Sequence, residues 1–109
     1  MTTTTTPPVP LPAGALADDV WQEDDRPRRI IHSENRGVEG QDLVVWWDAT
    51  QFADGTLDIE GNPPTVRVAD LIWERGLSSA QARELAAVSI EGADAVDRWA
   101  AWDCHERAV

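Results

Sequence analysis

The 109-residue sequence has no lysine, no tyrosine, one cysteine and one phenylalanine, and no apolar run near the length of a membrane span. Each absence excludes something. A lone Cys104 allows no internal disulfide framework and predicts a reducing, cytoplasmic setting. The opening MTTTTTPPVPLPAGALA has neither a basic n-region nor a sustained apolar h-region, so it does not read as a secretory signal. All nine basic residues are arginine, set against 20 acids. The net charge of -11 and pI near 4.3 argue against direct binding to DNA, RNA or an anionic membrane, because phosphate binding needs clustered cations. Such acidity confers solubility first, and any partner it attracts is a basic protein.

No constellation for catalysis stands out, and the chain is read as a non-enzyme without cofactor or metal. Cys104 and His105 are sequence neighbours, which cannot share nucleophile and base geometry without a sharp turn and an orienting third group. Asp103, His105, Glu106 and the distant His32 lack metal-ligand spacing, and His32 reads as a strand residue. The acids Asp18, Asp19, Glu23, Asp24 and Asp25 lack the spacing and central glycine of a calcium loop. No phosphate loop, dinucleotide fingerprint or G-x-S-x-G occurs.

What the chain does have is six tryptophans and a clear division into three parts. Residues 1–17 form a Thr/Pro tail in which Pro7, Pro8, Pro10 and Pro12 prevent regular pairing and predict disorder. Residues 18–27, including DDVWQEDD, form an acidic arm around Val20 and Trp21; Trp21 either docks on a partner's groove or folds back to cap this chain's own core. Residues 28–109 are a single small α+β domain: an antiparallel β-meander of three to four strands with one long C-terminal helix packed on one face.

Within that domain RRIIHS reads as a short strand, and QDLVVWWDATQF as a longer one leading to Asp54-Gly55. Asp-Gly favours a two-residue hairpin turn, which would set Phe52 opposite Leu57 and Thr50 opposite Ile59. GNPP, Gly61 to Pro64, would then fold the chain back so that Ile59 meets Val66, Leu57 meets Val68 and Asp58 pairs with Arg67. Both turns place Phe52, Leu57 and Ile59 on the buried face. Counting back in twos from Phe52 sends Trp46 inward and Trp47 outward with Val45 and Leu43. A bulge between Trp47 and Phe52 would exchange the two indoles.

ADLIWERG, Ala69 to Gly76, reads either as a short helical turn or as a continued strand. Ser78 with Gln81 predicts a capping box and a helix through SSAQARELAAVSIEGADAVDRWAAW. Its expected inner stripe is Ala82, Leu85, Ala86, Ser89, Ala93, Val96 and Ala100, with Ile90 and Trp99 at the margins, receiving Trp46, Phe52 and Trp73.

The segments TQFADGTLDIE and LSSAQARELAAVSIEGADAVDRW together resemble small uncharacterised proteins of actinobacteria and their phages, mycobacteriophages especially. Those share a Q-x-A-D-G hairpin followed by a Q-A-R-x-L-A helix. The resemblance covers roughly the C-terminal half and implies origin and architecture, with no activity attached; the WW pair, Gly92 and the Thr/Pro tail depart from the pattern.

Function is therefore expected to be protein binding, by a phage or prophage product acting on a host or phage protein. The expected surface is Trp47 with Val45 and Leu43, assisted by the acidic arm at Trp21, Asp24 and Asp25. A nucleic-acid-binding protein whose DNA site the acids imitate would suit that surface. The alternative is a self-associating protein in which the Trp47 strip forms a symmetric dimer.

Overall fold

Leu43–Phe52 is rich in β-branched and aromatic side chains and forms the central strand of the computed structural model, which describes residues 9–18, 20–23, 25–70 and 76–103. In chain order the elements are β1 (Leu16–Ala17), β2 (Arg28–His32), β3 (Arg36–Gly37), β4 (Leu43–Phe52), β5 (Thr65–Asp70) and α1 (Ser79–Ala100). They make one antiparallel sheet with the helix on one face, an α+β architecture of the class the sequence predicts.

β2 and β3 lie along the same side of β4, β1 flanks β2, and β5 flanks β4 on the other side. Between the pairs His32↔Asp48 and Arg36↔Val45, residues 33–35 oppose only Trp46 and Trp47, so the neighbouring strand carries one extra residue. Ser33 repairs the break. Its backbone N–H donates to the Trp47 carbonyl at 2.8 Å, and its hydroxyl accepts the Trp47 N–H at 2.9 Å.

The hairpin after β4 differs from the expected register by one residue, and that slip decides which side each side chain takes. Gly55, at φ +95°, donates to the Phe52 carbonyl at 2.9 Å, and Phe52 N–H donates to Thr56 at 2.8 Å. The loop therefore holds Ala53, Asp54 and Gly55, a three-residue turn closed by a left-handed glycine. Asp54 supports it by accepting both the backbone N–H and the hydroxyl of Thr56. Leu57 now faces Gln51 in place of Phe52.

The second expected turn is also corrected. Thr65 returns directly to β4 opposite Asp48, and the register runs through Trp47↔Val66 to Leu43↔Asp70. Residues 58–64 are thus an excursion from one β4-paired strand. Ile59 is exposed, and Arg67 pairs with Asp48 where Asp58 was expected.

Odd-numbered residues of β4 consequently face the helix. Trp47 packs with Ile31, Ala49, Ala95 and Trp99, while Leu43 and Val45 pack with Val38 and Val88. The helix begins as predicted, Ser78 and Gln81 forming the reciprocal capping box. Its buried side is Val88, Gly92, Ala95 and Trp99, which is turned by roughly 100° from the expected stripe. Ala82, Ala86, Ala93 and Ala100 are exposed. Alanines fit either face, so the bulk of Val88 and Trp99 sets the rotation, each buried large side chain contributing about 2–3 kcal/mol. Gly92 lets the helix approach closely: a Cβ there would lie 3.0 Å from Trp47 Cε3.

The N-terminal segment is corrected too. Residues 1–8 of the expected disordered tail lie outside the described residues, but 9–17 are ordered against the core. Leu11, Ala15 and Ala17 pack on the Trp47 cluster, and Trp99 Nε1 donates to the Ala13 carbonyl at 3.1 Å. Pro10 and Val9 lend carbonyls to Gln51 and Arg29. Proline prevents donation into a ladder, yet its carbonyl still accepts. Trp73 and most of ADLIWERG lie outside the described residues.

Candidate protein-binding face

The strip expected to bind a partner is not on the surface. Leu43 and Val45 are buried, and Trp47 is only 8% exposed beneath α1. The one-residue slip at Gly55 is the physical cause, because side chains alternate with a period of two and moving the register by one exchanges the faces. Trp21 is half-buried with the Arg29 guanidinium over its ring, 4.6 Å from the centroid, so it folds back onto β2 of this chain. Asp25 is exposed; Asp24, Cys104, His105 and Glu106 lie outside the described residues.

Arg29 explains why the arm folds in. It is itself buried and donates to Gln51 Oε1 at 2.9 Å, while Gln51 Nε2 donates to the carbonyls of Gly55 and Pro10. This satisfied polar knot ties β2, the hairpin and the N-terminal segment together. His32 is a strand residue, its Nδ1 2.9 Å from the Ser33 carbonyl. Among the described residues no group of three or more His, Cys, Asp or Glu is placed to hold a metal ion.

The opposite face of the sheet is partly accessible: Val44, Trp46 and Asp48 are half-buried on it, whereas Thr50 and Phe52 toward the hairpin are buried. On β4 it carries Val44, Trp46, Asp48, Thr50 and Phe52, and on β2 Arg28, Ile30 and His32. No helix or strand among the described residues covers it. Trp46 is half-buried and donates its indole N–H to Asp48 Oδ2 at 3.3 Å. Arg67, beside it, donates Nε to both Asp48 oxygens at 3.1 and 2.9 Å. The indole N–H is thereby tied to a carboxylate that Arg67 also holds.

Ile30 is 52% exposed and Leu16 and Val20 are exposed as well, giving this face apolar groups that the core does not use. Toward the hairpin, Arg26 stacks on Phe52 at 3.4 Å from the ring centroid. Between the arm at residues 18–22 and the excursion at 58–62 lies a cleft of about 580 Å³, with Ile30 and Thr50 at the strand positions between its walls. The sequence held one signal for this arrangement. A glycine within a helical pattern marks a close approach, and Gly92 sits over Trp47, which leaves Trp46 for the other side.

No helix among the described residues is long and apolar enough to cross a membrane. Comparison with protein-family models, with curated proteins and with solved structures finds no match.

Proposed function

We propose that this chain is a non-enzymatic protein-binding module whose docking surface is the open face of the sheet, centred on Trp46 with Val44, Ile30 and Leu16. The observation that carries this reading is a tryptophan and exposed aliphatic side chains on a face that no described helix or strand covers. Apolar anchors set in a polar surround suit a few strong contacts at an interface centre. The net charge of -11 would speed encounter with a basic target. A host or phage protein as target, and a phage or prophage origin for the chain, fit the resemblance of its hairpin and helix segments.

The test compares captured partners for the wild type, Trp46→Ala, Ile30→Ser and an Ile90→Ser control on the exposed side of α1, alongside light scattering. A partner lost with the first two and kept with the third supports docking on the open face. A stable dimer abolished by Trp46→Ala replaces it with self-association. Capture that none of the open-face variants alters overturns both.

A further inference from the structure

The outer edge of β5 has no strand beside it among the described residues. The Ser33 N–H donates to the Trp47 carbonyl and the Trp47 N–H to the Ser33 hydroxyl, so Trp47 turns its backbone polar groups toward the β2 and β3 side of β4. Backbone direction alternates along a strand. Val44, Trp46 and Asp48 therefore turn theirs toward β5, where they bond Ala69, Arg67 and Thr65. Val66, Val68 and Asp70 are left aiming their N–H and C=O groups away from β4. Among the described residues no second ladder and no turn bond reaches those groups, and Val68 is 53% exposed. What satisfies such an edge, other than water, is another extended strand.

The helix above that edge carries a matching flank. Arg36 meets Glu91, and the Glu39 N–H meets Glu84, which marks the flank of α1 that lies over β3. The other flank presents Ala82, Leu85, Ala86, Ser89, Ala93 and Val96, and the approach of Gly92 to Val66 sets it on the β5 side. These residues are small or apolar and none is charged, in a chain with 20 acids. They belong to the stripe that the sequence marks as the helix's inner face, yet this chain's own sheet leaves them exposed or half-buried.

We propose that a second copy of this chain pairs its β5 antiparallel with this one, about a two-fold axis at Val68. In that register Val66 of each copy lies opposite Asp70 of the other, so all three outward-facing residues find backbone partners and the two exposed valines meet. Neighbouring two-fold registers are poorer. Centring on Val66 sets Pro64, which has no N–H, opposite Val68; centring on Arg67 sets two like charges opposite each other. The axis stands perpendicular to the sheet and places both helices on one face. With strands about 4.8 Å apart, helices lying over β4 and β5 of each copy come to roughly 10 Å from one another, a spacing at which small side chains let helices pack. The uncharged flanks then meet each other. On the other side the two Trp46 faces join into one continuous surface, so the pairing is separate from open-face docking and would double it.

The test follows the full chain from low to high concentration by sedimentation equilibrium and by amide hydrogen exchange. The amides of Val66 and Val68 should exchange freely in the monomer and become protected as the dimer forms, whereas the Arg67 amide, bonded to β4, is protected throughout. Added sodium chloride should tighten the dimer, because each copy carries a net charge of -11. Val68→Lys changes an exposed position, sets two like charges at the axis and should weaken association about tenfold or more. Ser89→Glu, which places a charge between the helices, should weaken it as well, and Trp46→Ala should leave it unchanged. The proposal is overturned by a chain that stays monomeric at high concentration in salt, or by Val66 and Val68 amides already protected in the monomer. A dimer indifferent to Val68→Lys, or abolished by Trp46→Ala, overturns it too. A partner released by Trp46→Ala from a chain that never dimerises would remove the β5 pairing and leave the docking face standing.

Discussion

Replacing Gly92 by alanine sets two effects of opposite sign against each other. In an unconstrained helix interior the change stabilises by about 1 kcal/mol, because glycine has more backbone freedom to lose. Here the new methyl would meet Trp47 Cε3 at 3.0 Å and the two Val66 methyls at 3.1 and 3.2 Å. Neither neighbour is the loose end of a long side chain: Trp47 is wedged among Ile31, Ala49, Ala95 and Trp99, and Val66 sits opposite it on β5. Forcing a methyl into such a site costs about 1–3 kcal/mol. The net expectation is a loss of about 1 kcal/mol. With an m-value of about 1 kcal/mol/M for a domain of this size, the urea midpoint should fall by about 1 M. Far-UV circular dichroism and tryptophan fluorescence should report the same transition. Ala93→Gly, at an exposed position of the same helix, calibrates the propensity term alone and should cost about 1 kcal/mol. A Gly92→Ala midpoint that rises by about 1 M would refute the reasoning, because the space above Gly92 would then be open and Trp47 would not lie beneath the helix.

Other substitutions probe the hairpin, the arm and the termini. Leu57→Ala should cost about 1–2 kcal/mol in urea unfolding and Ile59→Ala less than about 0.5 kcal/mol, since only Leu57 packs on the core; equal losses would restore the two-residue turn. Gly55→Ala should cost about 1 kcal/mol or more, read as a lower thermal midpoint, because an L-residue is strained at φ +95°. Arg29→Met should cost about 2–3 kcal/mol and change the Trp21 fluorescence, as it strips the buried Gln51 oxygen of its donor and the indole of its cation. Removing residues 1–17 should lower stability markedly, with the loss visible as a reduced urea midpoint, because Leu11, Ala15 and Ala17 leave the core and Trp99 Nε1 loses Ala13.

The architecture was legible where local chemistry is strong. Ser78 and Gln81 announce the start of the helix, and the β-branched and aromatic run to Phe52 announces the central strand. What local chemistry left open was a matter of single residues. Asp54-Gly55 is compatible with a two-residue or a three-residue loop, and the difference moves Leu57 from Phe52 to Gln51. Because alternation propagates, one unit at the hairpin exchanged Trp46 and Trp47 and with them the candidate docking strip. The helix face was misplaced for a related reason: an alanine-rich pattern defines a stripe only weakly, whereas Val88, Gly92 and Trp99 define it through fit to the sheet. The ordered segment at 9–17 was hidden by its prolines; the carbonyls of Pro10 and Ala13 nonetheless serve side-chain donors far along the chain.

The bond from the Trp99 indole to Ala13 joins positions 86 residues apart. A nascent chain therefore cannot finish its core while the C-terminal helix is still inside the ribosome, because Ala13 must wait for Trp99. Closure of so long a loop makes folding slower than the small size suggests, and until then the tryptophans of the sheet stay open to chaperones or to a neighbouring chain.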